Sequence, residues 1–503
     1  MAVIGAGPNG LVCALRLAAA GLEVSVLEQA SEPGGGVKSA EDTLPGFVHD
    51  RCAGFFPLTA ASPAFRSLGL ERHGLEWVDP AIPMAHPFAD GSAIALHRDL
   101  NATVASLDRA VAGAGRAWRS LIEPLIANGD TVVRTGLEPF PPVAPALLLA
   151  LKLRRRGIEV ARLAVGSAAS MGHEVFGHDR PTAWLCGSTT HSDLSPGAAC
   201  GAALALGLKV LGHLVGWPFP RGGAGRLTDA MVGRLRELGA AVRCDAPVER
   251  ILSRQGRVAA VGLRGGDEIP ADAVVATVSA APLAAMLPDD ALPARLLRRL
   301  RRWRYGLGTF KLDWALSDPV PWEAAAARQA AVVHVGDTLD AMFRAAQEAG
   351  LGGVPRTPTM VVGQHTLHDR SRGPNGGHTL YAYTHVPNSL DVEEEVAERV
   401  EERIERFAPG FRRLVLGRAL RSPATLEREN PSLVGGDLGG GSYELDQQLV
   451  FRPAPELVRY RTPLRGLYLA SASVHPGGGV HGSCGEGAAR ALLADRSRLR
   501  FWR

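Results

Sequence analysis

The chain has 503 residues, 46% of them hydrophobic, and a formal charge of +4 from 55 basic and 51 acidic side chains. That much apolar material exceeds one ordinary core, so two lobes are expected. The mild charge argues against nucleic acid as a partner, because such binding needs cations massed on one surface and the arginines here are spread along the chain.

The six cysteines, Cys13, Cys52, Cys186, Cys200, Cys244 and Cys484, include no close pair, which argues against a zinc site and a dithiol redox centre. No metal ligand set is read. Met1 leads directly into Ala2-Val3-Ile4 without a basic stretch or cleavage site, so no secretory leader is expected and the setting is taken as cytoplasmic.

Residues 2–28 read as strand, glycine turn, helix and strand: apolar Val3 and Ile4, a helical pattern through Leu11, Leu15 and Leu17, then alternating Leu22, Val24 and Val26. Gly5-Ala6-Gly7-Pro8-Asn9-Gly10 fits G-x-G-x-x-G in the setting that gives the motif meaning, after a strand and into a helix. Gly5 permits the tight turn, Gly7 admits a pyrophosphate to the backbone, and Gly10 lets helix and strand pack closely. The helix N-terminus then faces the anion. Glu28 closes the second strand, where a carboxylate accepts hydrogen bonds from ribose hydroxyls and repels a 2′-phosphate.

Farther along, residues 100–215 are mainly helical by pattern. Two apolar stretches, 143–151 and 197–216, approach membrane spans, but the first is too short and the second carries Lys209 and His213. The surface from Pro145 to Leu151, with Arg154, Arg155 and Arg156 after it, is a candidate for peripheral membrane contact, against the alternative of an ordinary buried helix. Residues 225–240 read as an amphipathic helix, followed by a β-meander through Ala241 to Arg243, Val248 to Leu252, Val258 to Leu263 and Ala273 to Val278. Strand-like runs return in 300–316 and 357–387, and the Gly-, Pro- and Arg-rich segments 349–358 and 369–377 read as exposed linkers. Gly466 to Ala470 is a buried-strand pattern, followed by a glycine loop and a helix through Ala488 to Ala494.

The run Val26-Leu27-Glu28 to Pro33-Gly34-Gly35, then Pro45-Gly46-Phe47, resembles the phytoene desaturase (carotenoid desaturase) family within the glutathione-reductase-like FAD superfamily. The stretch Gly466 to Gly482, with His475-Pro476-Gly477-Gly478-Gly479, is similar to that family's closing FAD signature. Arg221-Gly222-Gly223 through the meander and Tyr460-Arg461-Thr462-Pro463 extend the likeness. The resemblance implies an α/β fold: a discontinuous Rossmann-like FAD-binding domain (parallel sheet plus β-meander) from 1–75, 216–290 and 420–503, with an inserted α+β substrate domain from 76–215 and 291–419. It implies non-covalent FAD held by Gly5, Gly7, Gly10, Glu28, Gly34, Gly35, Gly36, Lys38, Val248, Ser471, Gly479, Val480 and Gly482. Gly36 and Ser471 depart from the family pattern of arginine and glycine, and Lys38 is the candidate to replace the lost cation.

FAD carries the redox chemistry and the protein supplies position and field. His475, His481 and Glu486 are the acid–base candidates in the closing loop, although a desaturation loses its proton readily enough that no base is required. Backbone amides at Gly479 to Gly482 and the helix after them are expected at the flavin's pyrimidine side. No second dinucleotide motif is present, so electrons are expected to pass to oxygen or a quinone. The expected activity is hydride transfer from a hydrophobic, isoprenoid-like small molecule. A flavin amine oxidase, a flavin-dependent double-bond isomerase and a non-catalytic prenyl-binding module such as the GDP-dissociation inhibitors remain alternatives.

Overall fold

The computed structural model describes every residue except 389, 391, 502 and 503. Strand β1 (Ala2–Ile4), helix α1 (Pro8–Ala19) and strand β2 (Ser25–Leu27) form the opening unit. Helix α1 starts where Pro8 presets the first turn after an extended Gly7, and no side chain caps it. It buries Leu11, Val12, Leu15 and Leu17 against the sheet, at ~1.5–3 kcal/mol for each large aliphatic group.

β1 lies at the centre of a five-stranded parallel sheet, with β2 and Ala241–Arg243 on one side and Val274–Ala276 and Leu467–Leu469 on the other. In register, Ile4 meets Leu27 and Ala276, and Ala276 meets Leu469. Segments hundreds of residues apart thus share one plane. A three-stranded antiparallel meander, Val248–Arg254, Arg257–Leu263 and Glu268–Pro270, packs beside it. Ala241–Arg243, expected in that meander, is instead the parallel sheet's edge, because it follows a crossover helix (Gly225–Glu237) and so runs with β2. Short helix α2 (Pro57–Ala61) and the helix Ser483–Phe501 complete this unit.

The second unit has a helical layer that includes α3 (Gly129–Leu137), α4 (Val143–Leu153) and α5 (Arg155–Val165). Beneath it lies a seven-stranded mixed sheet whose longest strands, β3 (Gly308–Leu316) and β4 (His378–Val386), are second and third from one edge and antiparallel over nine residue pairs. Alternation divides these strands: Phe310, Leu312, Trp314, Leu380 and Ala382 enter one core, while Lys311, Asp313, Tyr381 and Tyr383 point to the opposite face.

Leu296, Leu297, Leu300 and Trp303 pack into the nucleotide-side core. One expectation needs correction. Segment 369–377 is not simply an exposed linker: Asp369 and Arg372 are fully buried, and Arg372 bonds Asp50 at 2.6 Å. A buried guanidinium needs such partners, and they join the two units. Segment 349–358 is largely exposed, as expected. Among the described residues no helix is long and apolar enough to cross a membrane.

Candidate functional site

A channel of about 1120 Å³, part of it open solvent, runs from the ends of β1 and β2 to the loop after the last parallel strand. Gly5, Gly7, Pro8 and Asn9 form one wall; Glu28, Gln29, Ala30 and Val248 one end; Ser471, Ala472, Ser473 and Gly440 the other. Gly35, beside Gly7 and Pro8, lines the channel together with Gly36 and Lys38.

Backbone proximity explains the glycines. A Cβ on Gly10 would sit 2.0 Å from the Gly5 carbonyl oxygen, and one on Gly35 would reach 3.0 Å from Gly7 Cα. Gly35 also has φ +56°, a left-handed conformation that glycine adopts without strain. The uncapped amides at the start of α1 therefore face the channel without an intervening side chain.

Glu28 is nearly buried, and its two oxygens accept from the amides of Ala6 at 2.7 Å and Ala30 at 2.9 Å. Those bonds fix the carboxylate and leave a lone pair on each oxygen for ribose hydroxyls. Lys38 lines the channel beside Gly36, and its ammonium lies 3.7 Å from Glu32. Buried Asn9 Oδ1 has no partner and belongs to a channel-lining residue. An unpaired buried acceptor, free helix amides, a ribose-type carboxylate and a nearby lysine suit a dinucleotide.

Several expected site residues are not among those that line the channel. Gly10 packs under the turn, and a Cβ on Gly34 would strike the Val37 carbonyl oxygen at 2.6 Å, so both shape the wall without lining it. Gly479, Val480 and Gly482 are outside the channel lining: the Thr59 and Ser62 hydroxyls donate to the Val480 and His481 carbonyls, latching this loop onto α2. His481 belongs to the same latch; Nε2 donates to Gly477 O at 3.1 Å and Nδ1 accepts from Ser483 N. Glu486 is clamped between Arg16 and Arg490, joining α1 to the C-terminal helix. His475 alone of the three keeps an unpartnered ring nitrogen, Nε2, while its ring packs on Phe140 at 5.6 Å. Burial pushes His475 and His481 down to about 4, so both rings are neutral at pH 7.

Thr277, Asn430, Ser432 and Ser473 also line the channel without having been expected there. Thr277 donates to Ile4 O at 2.7 Å and thereby holds the glycine turn to the neighbouring strand. No spacing rule marks these residues. The polar face of the seven-stranded sheet was missed too, although alternation in Thr309-Phe310-Lys311-Leu312-Asp313-Trp314 carries its signal. There Lys311 bridges Asp313; burial alone would raise that carboxyl, but Lys311 and His49 hold it down to about 2. Tyr383 OH bonds His191 Nδ1 at 2.8 Å, and His191 Nε2 meets His334 Nε2 at 2.9 Å. Cys52 Sγ connects this face to the channel, 3.5 Å from where a Gly36 Cβ would stand. Among the described residues no cluster of three or more histidine, cysteine or acidic side chains is arranged to hold a metal.

A dinucleotide cradle on a parallel sheet, joined to a lobe with a large mixed sheet, defines an FAD-dependent oxidoreductase. The chain belongs to the family described as flavin containing amine oxidoreductase, matched over residues 9–493. It is 26% identical over 564 residues to pyridine nucleotide-disulfide oxidoreductase domain-containing protein 2 of Rattus norvegicus, covering 99% of this chain and 94% of that protein. It is 29% identical over 527 residues to hydroxyneurosporene desaturase of Cereibacter sphaeroides (98% and 97% covered). Against the zeta-carotene-forming phytoene desaturase of Myxococcus xanthus it is 27% identical (95% and 90%). An oxidoreductase from Methanosarcina mazei has the same fold, with TM-score 0.65 at 16% identity over 98% of this chain and 99% of that one. A putrescine oxidase variant superposes with TM-score 0.62 at 16% identity, 99% and 98% covered. The likeness to carotenoid desaturases is thus shown, within a family that also takes in amine oxidation by name.

Proposed function

We propose that this protein is a desaturase-type dehydrogenase, which removes hydrogen from a hydrophobic, isoprenoid-like substrate and is reoxidised by oxygen or a quinone. Full-length similarity to two carotenoid desaturases carries this reading. FAD, when bound, supplies a two-electron acceptor. The first turn of α1, with Gly7 and Asn9, would hold its diphosphate, Lys38 would add a cation, and Glu28 would bind ribose hydroxyls. Ser471 to Ser473 and Gly440 line the end left for the ring system, where His475 sits in the adjoining loop.

A desaturation loses its proton to solvent or to the flavin readily enough that no base is required, and His475, with Nε2 unpartnered and its ring on Phe140, acts by position. A second reading, amine oxidation, is favoured by the family's name and by the polar face around Lys311 and Tyr381. Anaerobic bleaching of the purified yellow protein tests both. Polyenes should bleach it and yield a product two hydrogens lighter; bleaching by amines, with peroxide on reoxidation, would overturn the proposal.

A further inference from the structure

The helical pair α4–α5 leaves its apolar side bare. Of thirteen exposed large hydrophobic side chains among the described residues, six fall here: Val143, Leu147, Leu148, Leu151, Ile158 and Val165. Val143, Leu147 and Leu151 repeat at four-residue steps and so share one face of α4; Ile158 and Val165, seven apart, share one face of α5. Leu151 is 66% and Ile158 76% exposed, far beyond what a soluble surface needs from aliphatic groups. The pair is pinned inward through Pro145, Leu153 and Leu163, so its outer side is a fixed surface. The alternative of an ordinary buried helix therefore fails for α4.

Charge identifies the occupant. Residues 143–165 hold Lys152, Arg154, Arg155, Arg156 and Arg162 against one acid, Glu159. Arg162 engages Glu159 and Glu174, while among the described residues Arg154, Arg155 and Arg156 are exposed and have no ion pair. A bare aliphatic face edged by free cations matches a bilayer whose headgroups are anionic. The position also suits the chemistry: the connection from α3 to α4 carries Phe140, whose ring packs on His475 of the loop beside the channel. His475 further bonds the backbone of Glu138 in the same connection.

We infer that α4–α5 is a membrane-docking surface, on which the protein rests against an anionic lipid leaflet and from which a lipid-soluble substrate reaches the flavin end. This rests on the desaturase proposal only for its purpose; the docking itself depends on α4 and α5 alone.

The test is co-sedimentation of the FAD-loaded protein with vesicles of phosphatidylcholine containing phosphatidylserine, or of phosphatidylcholine alone. Binding should favour the anionic vesicles and weaken with salt. Replacing Arg154, Arg155 and Arg156 by glutamine should weaken partition onto anionic vesicles about tenfold or more. The variant Leu147→Glu/Leu151→Glu/Ile158→Glu should abolish it, with flavin content and thermal midpoint retained because all three side chains are exposed. Failure of the wild type to sediment, or equal sedimentation of the glutamate variant, would overturn the inference. So would a dimer in lipid-free solution that the same glutamates dissociate, because the face would then belong to a second copy. Bleaching by detergent-dispersed polyene is read separately: docking without bleaching sinks the desaturase proposal alone, and bleaching without docking sinks this one alone.

Discussion

The nucleotide channel and the polar face of the second unit are built by opposite means. Along the channel, side chains are withheld: Gly5, Gly7, Gly35 and Gly36 expose main chain, and one carboxylate, Glu28, is held by two amides. On the sheet face, side chains are massed: Lys311, Asp313, Arg421, Tyr381 and Tyr383 lean on one another in a buried network. A wall of backbone tolerates almost no added atoms, whereas a wall of paired charges tolerates no lost partner.

The sharpest way to break this contrast is at Gly10. Gly10→Ala puts a methyl group 2.0 Å from the Gly5 carbonyl oxygen, with only backbone there to yield. The expected result is loss of the visible flavin band from the purified protein; normal FAD occupancy would show that the turn can open. Next is Glu28→Ala, which strips two amides and the ribose of their acceptor. FAD affinity should fall about 100-fold in a flavin fluorescence titration.

Asp313→Asn attacks the other wall. Leaving Lys311 without its charged partner should cost about 3 kcal/mol, seen as a lowered thermal midpoint. Lys311→Met combined with Asp313→Leu should recover much of that loss, since both charges leave together and Arg421 keeps Asp42 and Glu429. An equal or greater loss would show that the network, and not the pair, is the unit.

Acid should act on the histidines. Burial pushes His86, His475 and His481 down to about 4 and His191 and His365 to about 3. The unfolded chain binds those protons near the ordinary 6.5 and the folded one does not, so stability is full above that pH. The thermal midpoint should then fall steadily as pH drops from 6.5 to 4; a flat profile would place water beside these rings. The smallest effect belongs to Glu486→Gln, which loosens a clamp between helices and should change substrate turnover less than twofold.

How legible each wall was in the sequence follows from the same contrast. A backbone wall needs glycine at fixed local intervals, so Gly5, Gly7 and Glu28 could be read from one strand–turn–helix unit. Even there, only the fold reveals that the hydroxyls of Thr59 and Ser62 hold the loop that carries Gly479, Val480 and Gly482. The polar face joins strands far apart in the chain: Lys311 meets Tyr383 on one side and Arg421 on the other, and no local spacing encodes those neighbours. Arg372 shows the same limit, since a Gly- and Pro-rich setting hid a guanidinium whose partner, Asp50, lies 322 positions earlier.

The parallel sheet's order has a consequence for biosynthesis. Strand β1 is translated before the other strands of its sheet, yet one flank of its plane ends in Leu467–Leu469, which is translated after all of them. The inserted lobe, whose strands precede that segment, has everything it needs to settle earlier. Cofactor capture is therefore a finishing event, and a nascent chain stalled before residue 467 would carry an intact lobe beside a half-built cradle.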